Sequence, residues 1–169
     1  MECKRILVIG SPGSGKTTFS AALSEKLGIE AVHLDRLFWR DNWVNVSSEE
    51  FDRQLREELL KDSWIMDGNY NRTIGMRMER CDTVFWLDYP ALTSLFGYFK
   101  RLIKNRGTSR PDMGGYCPEH LDLEFVKFIL TFNKTHRKRY REMLSGLSDK
   151  SVYIFRSRRE SEEFLENIK

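Results

Sequence analysis

The chain has 169 residues, enough for one domain whose hydrophobic core needs no disulfide framework. Hydrophobic residues make up 40% of it and charged residues 31%, with a net charge of only +3, so no part is predicted to be disordered. Three cysteines without Cys-x-x-Cys spacing predict no zinc site and favour a reducing cytoplasm, and the first apolar run is too short for a signal peptide or a membrane span.

Short apolar runs alternate with helical patterns along the chain. Strands are predicted at 5–9, 31–34, 64–66, 83–87 and 152–155. Helices are predicted at 17–27, from a Ser47–Glu50 capping box onwards, and at 91–104, 121–144 and 161–168. This alternation is typical of an α/β fold with a parallel sheet covered on both faces, in which ligands bind beyond the carboxyl ends of the strands. No repeat or linker divides the chain, so we expect one domain over residues 1–169.

The first strand is followed by a glycine-rich loop that fits the pattern G-x-x-x-x-G-K-[ST] at every fixed position. Glycines let backbone N–H groups converge on phosphate oxygens, and the following helix adds the partial positive charge of its N-terminus. The lysine would bridge the outer phosphates and the threonine would bind Mg²⁺. The predicted nucleotide-binding residues here are Gly10, Ser11, Pro12, Gly13, Ser14, Gly15, Lys16, Thr17 and Thr18. The alternative is a glycine turn with an incidental lysine; no Asn-Lys-x-Asp guanine motif is present, which favours ATP over GTP.

Three aspartates, Asp35, Asp67 and Asp88, each follow a predicted strand. A carboxylate in that position can accept a proton from an attacking hydroxyl or hold a water bound to Mg²⁺. Asp35 is predicted to orient or deprotonate a phosphoryl acceptor, and either Asp35 or Asp88 to bind Mg²⁺ through water. The alternative is that these residues cap helices or stabilise turns.

The segment from Asp67 to Arg72 reads D-G-N-Y-N-R, and its glycine allows the backbone to approach a ligand closely. Its arginine is predicted to hold an acceptor phosphate or carboxylate with two hydrogen bonds. Phe38, Trp39 and Trp43 either stack on a base or sugar or belong to the core. The predicted acceptor-binding residues of these segments are Asp35, Arg36, Asp67, Gly68, Asn69, Tyr70 and Arg72.

Basic residues are concentrated in two places. Residues 91–111 contain five Lys or Arg and no acid, and the second cluster consists of Lys134, Arg137, Lys138, Arg139 and Arg141. Such clusters bind nucleotide phosphates or a nucleic-acid backbone, or form a solvated helix face.

The sequence resembles the adenylate-kinase-like P-loop kinases, and more closely the group of DNA topology modulation proteins. The stretches that carry the resemblance are 10–18, 33–39, 64–70, 84–90 and 106–113. The resemblance implies a three-layer P-loop fold with strand order 2-3-1-4-5 and a short lid at 105–120. The family segment D-G-x-P-R-T differs from residues 67–73, which lack the proline and are one residue longer.

The resemblance also implies roles for individual arginines. Arg101 would stack on adenine and Arg106 would contact phosphates. Arg137 and Arg139 would be the arginines that return on the helix after the lid, with Arg137 facing the acceptor. Arg156 and Ser157 would border the adenine.

These observations lead to one hypothesis and two alternatives. The hypothesis is a cytoplasmic kinase that uses ATP and Mg²⁺ to phosphorylate a nucleotide, a nucleoside or another small metabolite. The predicted catalytic residues are Lys16, Asp35, Arg72, Arg101 and Arg106. The alternatives are an ATP-regulated nucleic-acid-binding protein, which the small net charge does not favour, and an ATPase without a small acceptor. No membrane partner and no particular oligomeric state are predicted.

Overall fold

The structure is a computed structural model that describes residues 3–168. Its strands are β1 (Arg5–Gly10), β2 (Ala31–His33), β3 (Trp39–Arg40), β4 (Val44–Asn45), β5 (Trp64–Asp67), β6 (Thr83–Leu87) and β7 (Ser151–Phe155). Its helices are α1 (Lys16–Leu27), α2 (Leu34–Phe38), α3 (Ser48–Leu59), α4 (Ile74–Arg80), α5 (Ala91–Lys104), α6 (Leu123–Ser145) and α7 (Arg158–Asn167), with a 3₁₀ turn at Asp41–Trp43.

Five of the strands form one parallel sheet in the order β2-β5-β1-β6-β7. Counted in chain order within this sheet, the strands follow the order 2-3-1-4-5. The predicted fold class is therefore confirmed. β3 and β4 form a separate two-stranded antiparallel pair.

The central strand β1 is buried on both faces because helices cover both sides of the sheet. Ile6 and Val8 point into a core that includes Phe19 of α1, whereas Leu7 and Ile9 point into the opposite core beneath α3, α4 and α6. Burial on both faces explains why β1 reads as a continuous apolar run rather than an alternating one. The carboxyl end of this strand, where the glycine loop begins, is thus held in a rigid frame.

Side-chain caps determine where several helices begin. Ser47 accepts a hydrogen bond from the Glu50 amide at 3.1 Å, as the capping box predicts. Asp122 caps α6, which therefore begins two residues later than predicted. Ser157 caps α7, which therefore begins three residues earlier than predicted.

Two helices were not predicted from the sequence. α2 has five residues and α4 has seven, so each is too short to establish an apolar period of 3.6 residues. Both follow strands of the parallel sheet, β2 and β5, at the carboxyl edge of that sheet.

The predicted lid, residues 105–120, lies wholly within the described residues and contains one isolated bridge, between Arg106 and Glu119. It connects α5 to α6 and lies against the segment from α2 to the 3₁₀ turn. Among residues 3–168, no helix is both long enough and apolar enough to cross a membrane.

Candidate active site

The glycine loop between β1 and α1 depends on backbone conformations that favour glycine. Gly10, Gly13 and Gly15 have φ values of 153°, 77° and 97°. A Cβ on Gly13 would overlap the carbonyl oxygen of Ser94 on α5. The loop is therefore closed tightly against α5, with the N-terminus of α1 at its end.

Two groups in this loop fit the phosphates of a nucleotide. The Ser14 hydroxyl is buried and, within the described chain, has no hydrogen-bond partner. Lys16 folds back on the loop, where its Nζ donates to the carbonyl oxygens of Gly10 at 2.9 Å and Ser11 at 3.1 Å. Burial lowers the pKa of Lys16 to about 8, although the charges of Asp67 and Asp35 oppose this shift. An unpaired donor and a desolvated cation are groups that phosphate oxygens would satisfy.

Thr17, the residue expected to bind Mg²⁺, contacts the lid. Its Oγ1 donates to Oδ2 of Asp112 at 3.3 Å, and Asp112 is itself buried. The lid thus reaches across to the first turn of α1. Thr18, the next residue, is exposed.

The acceptor side is centred on Asp35, in the first turn of α2. Tyr70 donates from its hydroxyl to Oδ1 of Asp35 at 2.7 Å, and Arg110 donates from the lid to Oδ2 at 3.2 Å. Burial raises the pKa of Tyr70, and the nearby Asp35 charge raises it further, so the phenol remains a hydrogen-bond donor. The geometry joins three separate segments at one carboxylate.

Arg110 connects Asp35 to a buried cluster of charges in the lid. Its guanidinium also pairs with Asp112 at 2.8 Å and with Glu119 at 2.9 Å, and its side chain is only 10% exposed. Glu119 pairs in addition with Nε of Arg101 at 3.0 Å. Arg101 lies over the ring of Tyr98, 5.4 Å from its centroid. Two arginines and two carboxylates of this part of the chain therefore form one buried network.

Arg101 and Arg110 both act electrostatically on Lys16 and help to lower its pKa, after burial, which has the largest effect. Burial likewise lowers the pKa of Arg101, with the charge of Arg110 as the next cause. The three cations are therefore concentrated in one partly buried region. Such a region is suited to binding a polyanion.

The Asp67 carboxylate, at the end of β5, is bonded to His33 at the end of β2, with Nδ1 and Oδ2 2.6 Å apart. Burial opposes protonation of the imidazole, but the hydrogen bond and the charge of Asp67 raise the pKa of His33. Asn69 accepts a hydrogen bond from the Gly10 amide at 3.3 Å. The segment after β5 therefore contacts both the glycine loop and the end of β2.

Two arginines predicted at the site have other surroundings. Arg72 forms a bidentate pair with Asp52 of α3, at 2.7 and 2.8 Å, and its side chain is 53% exposed. Arg106 is exposed on the lid. Arg110, four residues further on, is the lid arginine that is bonded to Asp35.

Asp88, which was expected to bind Mg²⁺ through water, is paired with Arg156, which was expected near adenine. Asp88 is buried and pairs with Nε of Arg137 at 2.7 Å and with Arg156 at 3.5 Å. The Ser157 hydroxyl is used as the cap of α7. Arg158, which the sequence did not single out, donates to the carbonyl oxygen of Gly13 at 3.3 Å.

Aromatic residues after Asp35 divide between the core and the lid. Phe38 packs on Phe51 and Tyr70, with ring centroids 5.4 and 5.0 Å away, as the core alternative predicts. Trp43 donates from its indole nitrogen to the carbonyl oxygen of Pro118 in the lid at 3.1 Å. The segment that follows Asp35 is thus a support for the lid.

Further backbone contacts fasten the lid to the same support. The Asn42 amide donates to the Tyr116 carbonyl oxygen at 2.8 Å, and Arg36 donates to the Pro111 carbonyl oxygen at 2.9 Å. A Cβ on Gly114 would overlap the carbonyl oxygens of Arg36 and Trp39. The lid and the acceptor side therefore form one continuous cover.

Of the residues that the sequence analysis did not assign, Arg110, Asp112 and Glu119 are the most prominent. Arg110 and Asp112 lie in the stretch 106–113, which carried the resemblance, so that stretch was the available signal. Their roles were not recognisable because a loop without periodicity does not indicate which side chains point inwards.

No family model matches the chain. It is 27% identical over 159 residues to an adenylate kinase of Pseudarthrobacter chlorophenolicus, covering 91% of this chain and 74% of that one. It is 29% identical over 125 residues to an adenylate kinase of Anaeromyxobacter sp. (strain K), covering 72% of this chain and 57% of that one. The chain therefore spans little more than half the length of the second relative.

Among solved structures, a shikimate kinase from Acinetobacter baumannii in complex with shikimate has a TM-score of 0.62 at 15% identity. The alignment covers 99% of this chain and 91% of that one. The chain has a P-loop kinase fold. Together with the adenylate kinase relatives, this fold supports a P-loop phosphotransferase of the nucleotide or small-molecule kinase type.

Proposed function

We propose that this protein transfers the γ-phosphoryl group of Mg·ATP to a small acceptor bound beside Asp35. One observation carries the proposal. The Asp35 carboxylate is bonded to Tyr70 and to the lid residue Arg110, and its charge acts on Lys16 of the glycine loop. A carboxylate, a lid arginine and the lysine of a glycine-rich loop in one region are groups of the kind that phosphoryl transfer uses.

The nucleotide half of the site is the glycine loop. Its amides, the Ser14 hydroxyl and Lys16 would hold the phosphates, and Thr17 would hold Mg²⁺ after releasing Asp112. When bound, Mg·ATP supplies the phosphoryl group and a divalent cation that neutralises charge on it. Arg158, next to the expected adenine neighbours Arg156 and Ser157, lies close enough to the loop to contact the nucleotide.

The acceptor half is formed by the ends of β2 and β5. Asp35 would orient the acceptor hydroxyl and take its proton, or hold a water on Mg²⁺, and Tyr70 would keep the carboxylate in place. Arg36 and the segment from Asp67 to Asn69 would line the same space. Arg72 and Arg137 could join only by leaving their carboxylate partners, Asp52 and Asp88.

Arg110 and Arg101 would stabilise the charge of the transferring group, the catalytic role for which the sequence analysis predicted Arg101 and Arg106. Cations held rigidly in a water-poor site do this better than exposed ones, because they need not reorganise during the reaction. This is the physical reason for preferring Arg110 over Arg106.

The relatives support two acceptor classes. Adenylate kinases are named for a nucleotide, and the shikimate kinase structure contains shikimate. We therefore place nucleotides and small hydroxy acids first among the candidate acceptors, ahead of nucleosides.

The test is ADP formation by the purified protein with Mg·ATP, with and without each candidate acceptor. We expect ADP formation to depend on one acceptor class.

Arg110→Met should lower kcat at least 100-fold, as expected for loss of a preorganised donor, whereas the matched variant Arg106→Met should stay within threefold of the wild type.

Slow ATP hydrolysis that is indifferent to every acceptor would contradict the kinase proposal and favour an ATPase.

A nucleic-acid role is the other alternative, because Lys134, Lys138, Arg139 and Arg141 are all exposed on α6. It would be favoured by salt-dependent DNA binding that is lost when these four residues are neutralised.

A further inference from the structure

Arg77, on α4, is the one Lys or Arg that is buried in the described chain, and its exposed fraction is 0%. No carboxylate of residues 3–168 forms an ion pair with it, and its Nε has no hydrogen-bond partner there. Burial lowers its pKa to about 10, so the guanidinium is still charged at neutral pH. An unpaired buried cation is costly and therefore calls for a specific reason.

The partners of Arg77 are three successive backbone carbonyl groups. Nη1 donates to the oxygen of Gly68 at 2.7 Å, and Nη2 donates to those of Asn69 at 2.6 Å and Tyr70 at 3.0 Å. The guanidinium reaches these three carbonyl oxygens from two nitrogens held in one rigid plane, whereas an ammonium would offer only a single point charge.

The turn that these carbonyls belong to is strained and closely packed. Gly68 has φ 126° and Tyr70 has φ 29°, which is unusual for a residue with a side chain. A Cβ on Gly68 would lie 2.9 Å from the Cβ of Leu34. The turn therefore needs an external support to keep this conformation.

Each half of the candidate active site is bonded to this turn. The Asn69 side chain accepts from the Gly10 amide of the glycine loop, and the Tyr70 hydroxyl donates to Asp35. Arg77 itself contacts neither the loop nor Asp35, so any effect it has on the reaction must pass through the turn.

We propose that Arg77 is a positioning residue whose guanidinium holds residues 68–70 so that Tyr70 orients Asp35 and Asn69 supports the glycine loop. The inference rests on the proposed function for its kinetic consequence, but its structural consequence can be measured without any substrate.

The first experiment is hydrogen exchange of the ligand-free protein, comparing the wild type, Arg77→Lys and the exposed control Arg80→Met on the same helix. In Arg77→Lys, we expect the amides of Gly10 and Thr73, which bond to Asn69 and Tyr70, to exchange at least tenfold faster. Amides of α3 should not change, and Arg80→Met should match the wild type. Unchanged exchange at the turn, or equal acceleration throughout the chain, would overturn the proposal.

The second experiment is a double-mutant cycle in steady-state kinetics with Tyr70→Phe. Arg77→Lys should lower kcat at least tenfold and alter the KM for ATP less than threefold, and its effect should shrink at least threefold in the Tyr70→Phe background. If the double variant lowers kcat by the product of the two single-variant factors, Arg77 does not act through Tyr70. Because exchange needs no turnover, a wild type without kinase activity would refute the proposed function and leave the positioning role to be decided by the first experiment.

Discussion

At the scale of single residues, the glycine loop contains two groups whose burial is unfavourable in the ligand-free protein. The buried Ser14 hydroxyl lacks a partner, and Lys16 has a pKa of about 8 where an exposed lysine has 10.5. Each would be stabilised by phosphate oxygens. We therefore expect these two groups to lower the stability of the ligand-free protein, as is common at functional sites.

Lys16→Met should make the free protein more stable and abolish phosphoryl transfer. Between pH 8 and 10.5 the unfolded chain binds more protons at this residue than the folded chain, so the cost to stability is complete below pH 8 and declines as the pH rises. A fall in pKa from 10.5 to about 8 corresponds to about 3 kcal/mol. The substitution also removes the two hydrogen bonds that Lys16 donates, which offsets part of this difference of about 3 kcal/mol. We therefore expect the free energy of unfolding to rise by about 1–2 kcal/mol at pH 7.

Urea unfolding at pH 7 and pH 10 measures this gain, which should be smaller at pH 10. The exposed Lys26→Met, at the other end of α1, is the control and should change stability little at either pH. A Lys16→Met variant less stable than the wild type at pH 7 would contradict the proposed environment of the lysine.

At the scale of elements, the lid is positioned by its contacts with the segment from α2 to the 3₁₀ turn. The backbone of both segments takes part in these contacts, together with the side chains of Arg36 and Trp43. Gly114 is where the approach is closest, because its missing Cβ leaves room for the carbonyl groups of Arg36 and Trp39.

Gly114→Ala should therefore detach the lid. We expect trypsin to cleave after Arg106 or Arg110 at least fivefold faster, and stability to fall by about 1–3 kcal/mol through overpacking. Gly75→Ala is the matched control, since it lies in α4 with no atom within 4 Å of an added Cβ and should be neutral or slightly stabilising. Equal cleavage of both variants would show that the lid is not held by this contact.

At the scale of the whole molecule, both halves of the candidate site lie at the edge of one sheet that has a hydrophobic core on each face. We therefore expect nucleotide binding to be coupled to global folding. Heating should give one cooperative transition, as expected for a single domain over the chain. Mg·ATP at 100 times its Kd should add about 2.7 kcal/mol to the free energy of unfolding and raise the Tm by about 5–10 °C.

Differential scanning calorimetry with and without Mg·ATP checks this prediction. Lys16→Met should lose most of the ligand-induced rise in Tm. Two separate transitions, only one of which moved with ATP, would contradict the single-domain prediction.

The sequence alone was sufficient to determine the sheet, its strand order by resemblance and the glycine loop, because buried parallel strands and a phosphate loop are encoded in contiguous residues. It also identified Asp35 and Tyr70, each next to a strand end. It did not reveal α4 or the inward direction of Arg77, because one short helix has no readable period.

Only the tertiary structure shows which arginines lie beside Asp35 in the candidate site. Arg72 and Arg110 are equally basic in the sequence, yet one pairs with Asp52 on the surface and the other with Asp35 beneath the lid. The choice depends on contacts between residues 20 and 75 positions apart in the chain. Local patterns cannot specify such contacts, because they arise when distant segments pack on the same edge of the sheet.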